Sequence, residues 1–358
     1  MARIVVTGIS GSLGRRVAAQ LLGPGRGDDV VGVDLDGGGG LPAGARVVSL
    51  DLAGSPGATD DALAAAMVGA DAVVHLAWVT ADGPGADAMR AAEANRVALA
   101  RVLAATAASG ARRLVHLSSA TVYGAWADNR IPLGEDALLR PNPGFGFATG
   151  KAEAERVVAR WAAAHPEVAV AVLRPTVTLG TPQRPLYEAL GGTRVPAVGD
   201  GTRPVQYLHV DDLAAAVVLA VDRSLTGVYN VAPDAGMPEA TARALSGGVA
   251  AFSVPAWVGR PLAALGWDLW RRGIPREARP YAMHPWVVAP DRLKVEGWTP
   301  AHTSEEALVA TDARPHLDDL PPGRRQQVVL AATGLAVLGG VAGTGAAVLA
   351  LRRRATRP

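Results

Sequence analysis

Three glycines spaced three residues apart, Gly8, Gly11 and Gly14, follow directly on the short apolar run Arg3-Ile-Val-Val-Thr7. A strand that ends in glycines and leads into a helix makes a cradle for phosphate. The first glycine allows the tight turn, the second lets the backbone approach an anion, and the third lets helix and strand pack closely. Ser12 and Leu13 sit inside this turn, where the unpaired amides of a helix N-terminus favour negative charge. Asp34 closes a second β-type run, twenty residues after Gly14. A carboxylate there accepts hydrogen bonds from ribose hydroxyls and repels a 2′-phosphate. The alternative is a turn-forming aspartate in the stretch Asp34-Leu-Asp36-Gly. Arg15 and Arg16 leave a 2′-phosphorylated ligand open.

Lysine is nearly absent. Lys151 and Lys294 are the two lysines among 35 basic residues, so 33 are arginine. With Ala and Gly abundant, this points to a coding bias rather than a structural demand. A lysine kept against that bias carries weight, because Lys is a compact donor that titrates when its environment shifts it and Arg does not. Lys151 opens an Ala-rich helical stretch, and Phe147 stands four residues before it. Phe has no ionisable proton and cannot serve as a general acid or base. There are no cysteines, which excludes disulfides, thiolate catalysis and cysteine-ligated metals. No metal-ligand spacing occurs, and isolated histidines such as His284 and His302 read as structural.

The elements that must position these residues alternate. Apolar runs recur at Val30–Asp34, Arg46–Leu50, Ala72–Leu76, Arg113–Leu117 and Val168–Leu173, with helical stretches at Arg15–Leu22, Ala86–Ala108 and Lys151–His165. Short apolar strands alternating with helices predict an α/β fold, a doubly wound parallel sheet covered on both faces. From about residue 180 Pro, Gly and Trp become frequent, as in a smaller substrate-binding region. The expected organisation is a dinucleotide-binding domain over 1–175, rejoined by elements around 205–232, a substrate region over 176–311, and a linker over 312–327.

Residues 328–351 follow without a single charge and are flanked by arginines. At about 1.5 Å per residue such a helix spans a ~30 Å hydrocarbon core, and Gly339 and Gly343 suit close helix contact. A C-terminal membrane anchor is expected, with the globular part on the cytoplasmic face and no N-terminal signal peptide before the first strand. Six arginines after Gly323 leave residues 1–323 with 29 basic against 33 acidic groups. The folded part is mildly acidic, which argues against a nucleic-acid partner. Five of the eight tryptophans fall at 257, 267, 270, 286 and 298. The segment Pro261–Arg272 reads either as core packing or as a membrane-surface helix.

Several further motifs occur in order. Asp51-Leu52 follows the third strand, His75-Leu76-Ala77-Trp78 ends the fourth, and Glu93-Ala-Asn95 lies in the long helix. Leu117-Ser-Ser119-Ala-Thr-Val-Tyr123-Gly124 follows the fifth strand, and Leu173-Arg-Pro175, His209-Val-Asp-Asp212 and Gly297-Trp298-Thr-Pro300 come later. Together with the glycine turn, over roughly residues 1–310, the chain resembles an extended short-chain dehydrogenase/reductase of the NAD-dependent epimerase/dehydratase family. The resemblance implies NAD as cofactor, held by Gly8, Gly11, Ser12, Leu13, Gly14, Asp34, Asp51, Leu52, Leu76, Ala77, Trp78, Asn95, Lys151 and Pro175. It implies Ser119 at the position that holds the substrate oxygen and Lys151 at the position that tunes a catalytic tyrosine and holds the nicotinamide ribose.

Phe147 departs from that pattern, since the family places the proton-transferring tyrosine there. No shift of register rescues it: none of the tyrosines at 123, 187, 207, 229 and 281 has lysine four positions on. Three readings stay open. Another group, His209, Tyr207 or a water activated by Lys151, moves the proton. Alternatively the site binds NAD without turnover, as a sensor or scaffold at the membrane, or the substrate carries its own acid or base. The leading expectation is an oxidoreductase or epimerase-like enzyme acting on a small molecule, a nucleotide sugar or a hydrophobic, lipid-linked compound. A steroid- or lipid-type dehydrogenase and a homodimer remain compatible with the sequence.

Overall fold

Val, Ile and Leu fill the strand runs so densely that both faces of each central strand must be covered, and they are. The computed structural model describes residues 2–37, 39–80, 87–180, 201–245 and 276–311. Its main sheet is built from β1 (Arg3–Thr7), β2 (Asp29–Asp34), β3 (Arg46–Ser49), β4 (Ala72–His75), β5 (Arg113–Leu117), β6 (Ala169–Pro175) and β10 (Gly227–Val231). These seven strands lie in the order β10-β6-β5-β4-β1-β2-β3. Every pairing within this sheet is parallel. The chain builds outward from β1 through β2 to β3, then returns to place β4 on the other side of β1. That reversal opens a crevice beyond the carboxyl ends of β1 and β4, where such sheets bind ligands.

Helices α1 (Ser12–Leu21), α2 (Ala58–Met67), α3 (Ala88–Ser109), α4 (Gly146–Ala164) and α5 (Val210–Asp222) cover the sheet. Ile4, Val6, Val74 and Val115 pack with Val17, Leu21, Leu213 and Val217 of α1 and α5 on one face. Val5, Val31, Val73 and Leu114 pack with Leu63, Leu99, Val102 and Val158 of α2, α3 and α4 on the other. The α/β doubly wound architecture follows the sequence expectation closely, down to one or two residues at most strand ends. Helix α2 lies in a stretch for which no element was expected, because Gly54, Pro56 and Gly57 precede it.

Two small sheets extend the main one. The parallel pair β7 (Val177–Leu179) with β9 (Tyr207–His209) and the antiparallel pair β8 (Pro204–Val205) with β11 (Met237–Pro238) adjoin a third apolar cluster containing Val122, Tyr123, Phe145, Tyr207, Tyr281 and Trp286. The segment after residue 297 is stapled back onto α5. Asp212 accepts the Ala301 amide at 2.9 Å, the His302 amide at 3.1 Å and His302 Nδ1 at 3.0 Å, while its own carbonyl accepts Trp298 Nε1 at 3.1 Å. Trp286 and Trp298 are both buried. The segments 312–327 and 328–351 and the stretch Pro261–Arg272 lie outside the described residues. Among the described residues no helix is long and apolar enough to cross a membrane.

Candidate active site

Gly8 adopts φ +76°, a left-handed conformation that L side chains rarely hold, and a Cβ there would stand 2.7 Å from the Ala77 amide nitrogen. Its own amide donates to Val33 O at 2.9 Å, which ties the turn to β2. At Gly14 a Cβ would come within 2.4 Å of Gly8 O. The turn is therefore closed tightly against itself, leaving the α1 N-terminus open to a phosphate.

Arg16 secures this turn from behind. Its Nη1 donates to Ser12 Oγ at 2.7 Å, Nη2 to Gly180 O at 3.0 Å and Nε to Asp211 at 2.6 Å. So engaged, Arg16 is occupied away from Asp34, and of the two arginines read as compatible with a 2′-phosphate Arg15 remains. Asp34 accepts the Ser10 amide through Oδ2 and the Leu35 amide through Oδ1, both at 2.8 Å. On the next loop Asp51 caps the Ala53 amide at 2.8 Å, and Arg101 of α3 donates to Leu52 O at 2.8 Å.

Above these groups opens a cleft of about 620 Å³. Gly8, Gly11, Ser12, Leu13, Gly14, Asp34, Asp51, Leu52, Leu76, Ala77, Trp78, Asn95, Ser119, Phe147, Lys151 and Pro175 all line it. Residues that the sequence reading passed over join them, among them Thr80, Ser118, Thr176 and Thr178. The two threonines at 176 and 178 follow Leu173-Arg-Pro175 directly, and extending that motif by three residues would have found them. Asn95 grips the backbone of Val79, accepting its amide and donating to its carbonyl, both at 2.8 Å. That grip fixes the chain on which Trp78 stands.

Lys151 is the pivot of the far end. Only 3% of it is exposed. Its Nζ donates to Leu117 O at 2.7 Å and lies 3.7 Å from the centre of the Trp78 ring. Burial pulls its pKa from 10.5 down to about 7, with the charge of Glu155 opposing. Glu155 is itself committed to Arg174 at 2.6 Å and to the Ser118 hydroxyl. Phe147 sits edge-on to Trp78 at 6.4 Å between ring centres and beside Phe145 at 6.0 Å.

Ser119 caps a short 3-10 turn, its Oγ accepting the Thr121 amide at 3.2 Å and Thr121 Oγ1 at 3.0 Å. With two donors pointed at that oxygen, its own proton is directed elsewhere. Behind Lys151, His75 and His116 stack with ring centres 5.6 Å apart, and Thr7 Oγ1 lies 2.7 Å from His75 Nδ1. Burial, seconded by the Lys151 charge, draws His75 down to about 3. Burial also lowers His116 well below its ordinary value, so both histidines are neutral at ordinary pH.

Two residues considered as substitutes for the missing phenol fall elsewhere. Tyr207 is 1% exposed within the third apolar cluster, and His209 stacks on His302 at 4.0 Å; neither lines the cleft. Strand β9 turns them into the core. Tyr123 is likewise buried, bonded to Asn230 and Arg174 at 2.7 Å each.

Compared with known proteins, residues 4–232 match the NAD dependent epimerase/dehydratase family. The chain is 29% identical over 344 residues to a dTDP-glucose 4,6-dehydratase of Streptomyces griseus, covering 87% of this chain and 94% of that one. It is 30% identical over 129 residues to the uncharacterised protein y4nG of Sinorhizobium fredii, 35% of this chain but 31% of that protein. Among solved structures it is similar to the UDP-glucose 4-epimerase of Thermus thermophilus in complex with NAD, with a TM-score of 0.64 and 22% identity, over 87% of this chain and 97% of that one. That likeness shows the fold.

Proposed function

This chain belongs to the NAD-dependent epimerase/dehydratase family, and we propose that it is an NAD-dependent oxidoreductase in which Lys151 moves the proton that a tyrosine at position 147 would otherwise move. One observation carries the reading. Lys151 Nζ is buried at the cleft with a backbone carbonyl and an aromatic face as partners, and no carboxylate among the described residues forms an ion pair with it. An ammonium so placed loses its solvation and gains only the weaker opposing charge of Glu155, which is itself paired with Arg174, so the neutral amine is populated near neutral pH. A neutral amine accepts a proton.

The residues divide the work. The amides of the α1 N-terminus hold a pyrophosphate, and Asp34 accepts the adenosine ribose hydroxyls. When bound, NAD supplies the hydride acceptor or donor. Ser119, with its oxygen already receiving two donors, turns its own proton toward the substrate oxygen. Lys151 takes the hydroxyl proton as an alcohol is oxidised and returns it in the reverse direction. Trp78 and Phe147 line the same cleft and give the amine an apolar setting.

Nucleotide sugars are the substrate class favoured by the relatives, one a dTDP-glucose dehydratase and one a UDP-glucose epimerase. Hydride transfer assayed over a panel of nucleotide sugars, with wild type and Lys151→Met, tests the assignment. Turnover that survives Lys151→Met would sink it, and a wild type that binds NAD but turns over nothing would favour the silent sensor or scaffold. The uncharged run 328–351 supports a membrane anchor. Its test is whether the full chain partitions with membranes while a chain ending at Pro322 does not.

A further inference from the structure

We propose that Lys151 is also a nucleophile, capturing small planar aldehydes as an imine in the cofactor-free cleft. The inference shares one premise with the proposed function, a neutral amine at Lys151, and does not need hydride chemistry.

Tetrahedral geometry at Nζ carries the argument. One position is the bond to Cε. A second holds the N–H donated to Leu117 O at 2.7 Å, and a third faces the Trp78 ring at 3.7 Å. In a neutral amine the fourth position is the lone pair. Neither Leu117 nor Trp78 occupies it, and Lys151 lines the open cleft. Position 147 lies one helical turn before Lys151 on α4 and lines the same cleft, so a tyrosine there would bring a phenolic proton toward that lone pair. Phe147 offers none, so the pair stays free to attack. Desolvated lysines beside apolar side chains are the ones that react with carbonyls, and the lowering of its proton affinity by burial agrees.

The chemistry balances without a further reagent. Nζ adds to the carbonyl carbon, the two amine hydrogens leave with the carbonyl oxygen as water, and a C=N bond joins lysine and ligand. The Trp78 ring beside Nζ, with Phe147 edge-on to it at 6.4 Å, presents apolar aromatic surface to the cleft, which favours aromatic and conjugated aldehydes over polyhydroxylated ones.

The chain contains its own control, because Lys294 is the other lysine. Lys294 Nζ pairs with Asp234 at 3.0 Å on an exposed face. The full-length protein is treated at neutral pH with benzaldehyde and cyanoborohydride, which fixes any imine as a secondary amine, and each lysine is followed by peptide mass mapping. Lys151 is expected to be labelled at least roughly tenfold faster than Lys294, and NAD is expected to protect it. Phe147→Tyr, which hands the lone pair a proton, should slow Lys151 and leave Lys294 unchanged. Labelling of Lys151 no faster than of Lys294 overturns the proposal, as does rapid labelling indifferent to Phe147→Tyr. NAD affinity of untreated protein, measured by calorimetry, separates the two readings. If NAD does not bind, the oxidoreductase assignment fails, while the labelling ratio still decides the imine.

Discussion

The Asp34 carboxylate holds the Ser10 amide at 2.8 Å, so the acid at the end of β2 and the glycine turn after β1 form one unit. Removing it therefore does two things: a ribose acceptor is lost and the turn is unpinned. Asp34→Ala is expected to weaken NAD binding by about 1–3 kcal/mol, the usual cost of unmade hydrogen bonds to a charged group, and to narrow the preference for NAD over NADP. Calorimetric titration with both dinucleotides measures this. Wild type that binds NADPH as tightly as NADH would remove the role given to Asp34.

Gly14 and Gly11 should respond differently to alanine. A Cβ at Gly14 would lie 2.4 Å from Gly8 O and 2.5 Å from Ile9 Cα, all backbone, whereas one at Gly11 would meet only Gly8 O at 3.2 Å. Gly14→Ala is expected to lower the melting temperature and to abolish NAD binding together. Gly11→Ala should leave the melting temperature near wild type while weakening NAD, because its methyl group stands where the pyrophosphate approaches. Equal melting temperatures for the two variants would contradict this account of the turn.

Lys151 should leave its mark on the pH dependence of both activity and stability. Alcohol oxidation needs the neutral amine and is expected to rise as pH passes about 7, while carbonyl reduction falls. In the fold its pKa is drawn from 10.5 to about 7. Between those values the unfolded chain binds a proton that the folded one does not, so stability rises with pH across that window, by at most about 1.4 kcal/mol per unit. Urea unfolding at intervals across that window should show this slope in wild type and a flatter line in Lys151→Met. Parallel lines would mean that Lys151 is not desolvated in the fold.

Glu155 and Arg174 are a buried pair whose partners cannot be spared. Glu155 is 6% exposed and Arg174 4%, and Arg174 also donates to Tyr123 and to Glu135 O. Glu155→Ala strands a guanidinium inside the protein, at a cost of about 3–5 kcal/mol. The double change Glu155→Leu with Arg174→Met should cost less than Glu155→Ala alone. Denaturant midpoints of the three proteins check the order, and a near-neutral Glu155→Ala would show that water reaches Arg174.

The central sheet was legible because its signal is local. Val30–Val33 and Ala72–Val74 are apolar on both faces, and only strands buried on both sides have that composition. The cleft was legible for the same reason, since its residues stand at strand ends and helix starts whose order along the chain is preserved. What escaped depends on distant partners. Tyr207 and His209 read as free polar groups beside a motif, yet pairing of β9 with Val177–Leu179, well back along the chain, turns them away from the cleft. The stacking of Trp78 on Lys151 joins two strand-and-helix units far apart in sequence, and no periodicity announces it. Helix α2 was hidden by the glycines and proline that precede it.

The staple between Asp212 and the segment Trp298–His302 sets how short the protein can be made. The family match ends at residue 232, which invites trimming to that point. Such a trimmed chain would keep the buried Asp212 carboxylate at the start of α5 and discard the three donors that satisfy it, besides exposing the apolar surface that Trp298 covers. Helix α5 lies against α1, the helix that follows the glycine turn, so the damage would reach that turn from behind. The stretch that identifies the family is thus shorter than the stretch that folds, and excision of the nucleotide-binding half as an autonomous module should fail for want of Trp298–His302.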